Sequence, residues 1–282
     1  MAFLRLEDSF SAFLGEGLSR CLNPQGAYGF LNDKGRAFIG IAKKLLEQHL
    51  FLHVCNIAFA PDANTLEAFA SCFGKFRGPV EHTEIRVDCD YDGCVLSPLE
   101  FHNDDVLLDH DKRPNVGILQ VQSEDPLKRP VNSVVKIDDI VSYLELENPN
   151  LLDRLLHVPV PMLWGKVKKI LNDDQLTFTE GERQIQVPIL YKENGFYASR
   201  FNLGRILYFY YAKGLQQDLE EKRMIHQFLQ VARQLKRDMY LAKNDLLIFN
   251  NKRTMHSRSA CSVEINQDGS FKSRLFYATF AL

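Results

Sequence analysis

Apolar and polar positions follow two different periods along this chain, and the switches between them predict its elements. Gly15, Gly17, Pro24, Gly26 and Gly29 break any period within residues 1–34. Phe38, Ile41, Ala42, Leu45 and Leu46 then recur at helical spacing, with Lys43 and Lys44 on the other face, and predict a helix starting at Asp33. Residues 50–60 are almost continuously apolar and read as a buried strand. Pro61-Asp62-Ala63-Asn64 opens a second helix, carried by Leu66, Phe69, Ala70 and Phe73 and stopped by Gly74.

Residues 79–102 read as extended. Residues 84–88 alternate, Asp92-Gly93 is a turn, and the signal ends in Leu99-Glu100-Phe101-His102. A highly charged loop, 103–115, separates this segment from short strands at 116–121 and 131–137. Two short helices follow at 138–146 and 149–156, the second with Asn148 at its N-cap and Pro149 at its first position. Residues 158–211 read as short strands with turns at Asn172-Asp173-Asp174, Glu180-Gly181 and Glu193-Asn194-Gly195. Residues 218–241 form the longest predicted helix. The chain closes with a strand at 246–249, a hairpin at Gln267-Asp268-Gly269-Ser270, and an alternating strand headed by Arg274.

There is no repeat, low-complexity tract or linker. The order predicts one domain over 1–282, mainly β with peripheral helices (α+β), built as a sandwich or jelly roll. Residues 1–78 form an N-terminal helical and strand region on that core, and 138–157 a helical insert. With 45% hydrophobic residues the chain can bury a sizeable core. A net charge of −2 and the lack of a basic run leave no bulk attraction to nucleic acid or an anionic membrane. The start, Met1-Ala2-Phe3-Leu4-Arg5-Leu6-Glu7-Asp8, lacks the layout of a secretory signal, and His53 and Asn56 interrupt the longest apolar run. None of the six cysteines forms a Cys-x-x-Cys pair, so they read as reduced thiols and the expected location is cytoplasmic.

Candidate chemistry begins with His102-Asn103-Asp104. In an extended segment residues two apart share a face, so this imidazole and carboxylate can reach one metal ion. His256, just after the polar turn that follows 246–249, offers a third ligand, although His82 and His110 are rivals for that place. Two histidines and one carboxylate are the ligand set of non-haem iron(II) oxygenases, while a zinc hydrolase could use the same groups. Arg274, inside a strand, needs an anionic partner, either a ligand carboxylate or one of the chain's own acids.

The joint pattern of His102-x-Asp104, a distal His256 and a later Arg274 resembles the taurine dioxygenase and clavaminate synthase superfamily of iron(II)/2-oxoglutarate oxygenases. The run from Asp245 to Arg258 is similar to its clavaminate-synthase-like branch, as are Val187-Pro188-Ile189-Leu190-Tyr191 and the helix ending Cys72-Phe73-Gly74. The likeness covers residues 62–282. It implies a double-stranded β-helix (cupin-like) core and iron held by His102, Asp104 and His256. It implies that Arg274 grips the distal carboxylate of 2-oxoglutarate. Ser133 falls where relatives place a hydroxyl on that carboxylate, but Arg129-Pro130-Val131-Asn132 replaces the preceding glycine pair. Arg258 would face the site.

The reaction so implied consumes O2 and 2-oxoglutarate, releases succinate and carbon dioxide, and hydroxylates a C–H bond. The implied substrate is a small amino acid or a derivative of one. Desaturation would use the same site, whereas Asp104 leaves no place for halide. Asp105 and Asp109, with Asp111, lie on the loop that would cover the substrate, and could meet an ammonium or guanidinium group. A non-catalytic jelly roll that binds metal or a partner is the alternative. Substrate identity and oligomeric state stay open.

Overall fold

The computed structural model describes residues 2–21, 23–57, 63–85, 94–128, 130–164, 167–169, 176–178 and 183–282. Strands and helices are numbered in chain order. Six strands form the larger sheet, in the spatial order β1 (Ala2–Arg5), β2 (Phe51–Cys55), β14 (Leu246–Asn250), β5 (Val116–Ser123), β18 (Leu275–Ala281) and β3 (Phe76–Glu84). All its pairings are antiparallel except β1 with β2. A four-stranded antiparallel sheet runs β13 (Arg237–Met239), β6 (Asn132–Lys136), β15 (Thr254–Arg258) and β4 (Leu99–His102). Four antiparallel pairs complete the strands: β7 (Pro159–Trp164) with β10 (Arg183–Pro188), β8 (Val167–Lys169) with β9 (Leu176–Phe178), β11 (Leu190–Glu193) with β12 (Phe196–Ser199), and β16 (Glu264–Ile265) with β17 (Phe271–Lys272).

Strand alternation sorts the core into layers. Leu246 and Ile248 of β14 join Leu52 and Val54 of β2 in a cluster under α1 (Asp8–Ser19), α3 (Asp33–His49) and α4 (Ala63–Ser71). The intervening residues Leu247, Phe249 and Phe51 point the other way and pack with Val134 of the smaller sheet, so the two sheets share an inner layer. The short α2 (Ala27–Phe30) lies between α1 and α3 in the chain. A third cluster unites α5 (Ile137–Glu147), α6 (Pro149–His157), α7 (Leu203–Lys213) and α8 (Leu219–Leu235). Helix and strand thus contribute comparably, a more mixed architecture than the mainly-β reading. Among the described residues no helix is long and apolar enough to cross a membrane.

Several elements differ from the sequence reading for identifiable reasons. Residues 8–19 are helical despite Gly15 and Gly17, because Leu14 and Leu18 are fully buried against the N-terminal core. Residues 203–213 are helical although Tyr208, Phe209, Tyr210 and Tyr211 favour strands. Asn202 caps α7 by accepting from the Arg205 N–H, and Gly214, at φ 63°, ends it in the left-handed region. Helix α4 stops at Ser71, before Gly74. Helix α8 stops at Leu235, and Arg237–Met239 pairs with β6 as an edge strand. The strand read over 50–60 ends at Cys55, where Asn56 turns at φ 64°. The expected turn at Glu193-Asn194-Gly195 joins β11 to β12 with Asn194 and Gly195 both at positive φ. The expected turns at Asp92-Gly93, Asn172-Asp173-Asp174 and Glu180-Gly181 lie outside the described residues.

Candidate active site

His102 ends β4 and pairs directly with His256 on β15, so the antiparallel register alone puts both imidazoles side by side. Their ring centroids are 4.2 Å apart. The chain leaves the strand after His102 and brings Asp104 back over both rings. Asp104 Oδ1 stands 3.6 Å from His102 Nε2, and Oδ2 stands 3.6 Å from His256 Nε2. Both separations exceed hydrogen-bond length, and Oδ2 is buried without a partner. The three ligand atoms lie within 4.8 Å of one another. Two imidazole nitrogens and a carboxylate converging at that spacing suit a shared cation.

The protonation states fit the same reading. His102 donates Nδ1–H to the Glu100 carbonyl at 2.8 Å, which leaves Nε2 as the lone pair facing Asp104. Burial pushes the His256 imidazole down to about 4, against the pull of Asp104, so this ring is neutral at pH 7. Burial alone would raise the Asp104 carboxyl, but His256 first, then His102 and Arg77, hold it below the usual carboxylate range. Neutral imidazoles and an ionised carboxylate are the forms that bind a metal.

Two asparagines fix the backbone of this turn. Asn103 is fully buried and uses its whole hydrogen-bonding capacity. Its Nδ2 donates to the carbonyls of Asn251 and Thr254 at 2.7 and 2.8 Å, and its Oδ1 accepts from Ser199 Oγ and the Phe201 N–H at 2.9 and 3.0 Å. Asn251 brackets Asp104 itself. Its Oδ1 accepts the Asp104 N–H at 2.9 Å, and its Nδ2 donates to the Asp104 carbonyl at 3.0 Å. A buried asparagine beside a His-x-Asp turn was the available clue in the sequence, but neither residue stood out there.

Phe249, reaching across from the larger sheet, packs its ring 4.6 Å from that of His256. It lies over Gly117 of β5, where an added Cβ would run into the ring. Gly117→Ala is therefore expected to cost about 1–3 kcal/mol through overpacking. Thermal unfolding measures that loss, and weaker metal binding would show that the displaced Phe249 moves His256.

Around the triad, Glu81 on β3 is an acid the sequence reading missed. It is exposed and lies close enough to Asp104 to feel its charge. Partial burial, together with Asp104 and Asp105, pushes its carboxyl up to about 7 against the opposing pull of Arg77. Asp105 pairs with Arg77. Arg200 ties down the following loop by donating to the carbonyls of Val106 and Leu108, both at 2.5 Å. Asp109 is exposed and bound to Lys112 and Arg183 at 2.8 and 2.5 Å, and Asp111 is also exposed, so neither joins the triad.

Ser133 falls on the opposite side of its strand from His256. The register pairs Ser133 with Ser257 and Val134 with His256, so Ser133 faces away and donates to Asp238 at 2.6 Å. Arg274 is 3% exposed, lies over the Phe276 ring and donates through Nε to Cys261 Sγ. Arg258 is also buried and reaches the same sulfur while donating to the carbonyls of Val95 and Ser97, both at 3.0 Å. His82 stacks on Tyr277 and His110 pairs with Glu193, so neither rival histidine enters the cluster.

No protein-family model matches this sequence, and no curated protein matches it either. Solved structures do. An asparagine oxygenase in complex with Fe(II), 2S,3S-3-hydroxyasparagine and succinate aligns over 100% of this chain and 94% of its own, with TM-score 0.71 and 13% identity. The non-haem iron oxygenase OrfP, in complex with Fe, succinate and (3R,4R)-dihydroxy-L-Arg, aligns over 100% and 94% with TM-score 0.69 and 15% identity. OrfP with Fe and alpha-ketoglutaric acid gives 100%, 93%, 0.68 and 15%. Over its whole length the chain carries the fold of these oxygenases.

Proposed function

We propose that this chain is an iron(II)- and 2-oxoglutarate-dependent oxygenase that hydroxylates a C–H bond of a small amino acid or a derivative of one. One observation carries the reading: the ligand atoms of His102, Asp104 and His256 converge within 4.8 Å of one another in a fold shared with iron oxygenases. The facing sheets then correspond to a double-stranded β-helix, with the triad on its inner layer. His102, Asp104 and His256 would hold the iron. When bound, iron supplies activation of O2 coupled to conversion of 2-oxoglutarate into succinate and carbon dioxide.

The chain's own residues position and shield. The His102–Glu100 contact fixes one donor tautomer, and Asn103 and Asn251 hold the turn that aims Asp104. Phe249 covers His256 and keeps bulk water from that side. Arg274, buried on β18 and donating through Nε to Cys261, would grip the distal carboxylate of 2-oxoglutarate. Ser133 and Asp109 are better suited to structural roles, while Arg258 supports Cys261 and the backbone beside Arg274.

Glu81 and the Arg77–Asp105 pair, close to Asp104, suit the ammonium and carboxylate of an amino acid. The structural neighbours hold hydroxylated amino acids, which favours hydroxylation over desaturation. Cys21, Cys55, Cys72, Cys94 and Cys261 are free, which suits a reducing compartment such as the cytoplasm.

Arg274→Ala tests the cosubstrate assignment. Loss of a charge-assisted contact worth about 1.5–3 kcal/mol should raise the 2-oxoglutarate requirement about 10- to 100-fold. Titration of succinate formation against 2-oxoglutarate measures it, and an unchanged requirement would move the anchor elsewhere.

A further inference from the structure

Away from the triad, the structure brings together a second set of metal-binding side chains on β2 and β14. Leu52 and Val54 point into the helix-covered core, so His53 and Cys55 share the other face of β2. Asp245 precedes β14 by one residue. The pairing of Leu246 with Val54 and Leu247 with His53 carries on to set Asp245 beside Cys55. The design repeats that of the triad: two ligands in a His-x-ligand strand segment, and the third from the antiparallel neighbour.

The three ligand atoms already lie together. His53 Nε2 lies 2.9 Å from Asp245 Oδ2 and 3.3 Å from Cys55 Sγ, and the three ligand atoms lie within 4.8 Å of one another. Tetrahedral zinc bonds of roughly 2.0–2.3 Å separate neighbouring ligand atoms by about 3.2–3.8 Å, so a small opening of the cluster admits the ion.

Backbone amides orient the carboxylate from outside. The Asn56 N–H donates to Asp245 Oδ1 at 3.3 Å and the Ala242 N–H to Oδ2 at 3.0 Å, as is usual around a ligating carboxylate. The Phe3 ring stands edge-on to His53 with centroids 5.4 Å apart and closes one side. His53 and Asp245 are buried, whereas Cys55 is half-exposed and leaves a path for an ion and a water as fourth ligand.

We propose that His53, Cys55 and Asp245 form a second metal site, selective for zinc over iron. One nitrogen, one oxygen and one sulfur donor suit the borderline-soft Zn²⁺, whereas the triad offers only nitrogen and oxygen. Binding converts the Cys55 S–H into a Zn–S bond and releases its proton to solvent. The ion would tie β2 to β14 across 192 residues of sequence and so stabilise the fold. This site does not depend on the oxygenase reading.

Cobalt(II) provides the test, because only a sulfur ligand gives a thiolate-to-metal charge-transfer band. The full-length chain, stripped with chelator, is titrated with Co²⁺ and then Zn²⁺. The expected result is a charge-transfer band that Zn²⁺ abolishes, that Cys55→Ser removes, and that persists in His102→Ala/His256→Ala. Zinc content should fall from two ions per chain to one in Cys55→Ser. Cys261→Ser should leave the band intact. Absence of the band from the unmodified chain, or its survival in Cys55→Ser, would reduce the cluster to a hydrogen-bonded His–Asp pair. An unmodified chain that shows the band yet takes up only one zinc ion would instead count against the oxygenase reading.

Discussion

Replacing Asp104 with alanine is expected to bring Fe(II)-dependent succinate formation down to background while the metal-free protein stays folded, with at most a modest fall in its unfolding temperature. The two halves of this result have separate causes. On the proposed function catalysis would need the carboxylate, which is the acid clustered with the two imidazoles. Stability depends on it much less: its depressed pKa marks a favourable contribution at pH 7, which the buried Oδ2 offsets. Asp104 Oδ2 is buried without a partner, and a stranded buried polar group costs about 1–3 kcal/mol. The turn itself is held through the Asp104 backbone, which Asn251 grips on both sides and alanine retains. Iron content, succinate yield and thermal unfolding of the metal-free protein measure the three quantities. A large loss of metal-free stability would mean that Asp104 is a structural ion-pair residue.

The asparagines should behave in the opposite way. Asn103→Leu removes a side chain that satisfies two carbonyls, one hydroxyl and one N–H in a fully buried position. Leucine fills similar space but leaves these groups unpaired, for an expected loss of about 3–5 kcal/mol after partial relaxation. Asn251→Ala should be gentler on the fold and harder on the metal. It frees the Asp104 N–H and carbonyl, so the ligand's direction is no longer set. Loss of such support typically costs about 10- to 100-fold in metal affinity. Comparing metal affinity with thermal stability separates positioning from simple structural support. Equal affinities in Asn251→Ala and the unmodified chain would remove Asn251 from the site.

The triad's members could be picked out in the sequence because their joint pattern with Arg274 resembles an oxygenase family, while spacing alone only places His102 and Asp104 on one face. His102 and Asp104 are two apart at the end of an extended run, and His256 follows a clear apolar strand and polar turn. Their meeting depends on register, which joins His102 directly to His256 and which no local pattern encodes. The same dependence explains Ser133. Its place in the chain suggested the cosubstrate, but a one-residue register difference puts it on the far face from His256. Arg77 fell before the extended segment read from residue 79 and Glu81 lay inside it unremarked; the pairing of β3 with β18 carries both to the vicinity of Asp104. His53 and Cys55 lay within an apolar run that reads as plain core, and only pairing with β14 shows Asp245 beside them. Helix α7 was hidden by aromatic composition, although Asn202 and Gly214 mark its ends.

The most direct measurement of the central reading is succinate formation by the purified chain supplied with Fe(II), ascorbate, 2-oxoglutarate and air. The prediction is slow succinate release without any further substrate, faster release with a suitable free amino acid, and none without oxygen or in Asp104→Ala. No succinate under any of these conditions, together with no thermal shift on adding 2-oxoglutarate to the iron- or manganese-loaded chain, would contradict it.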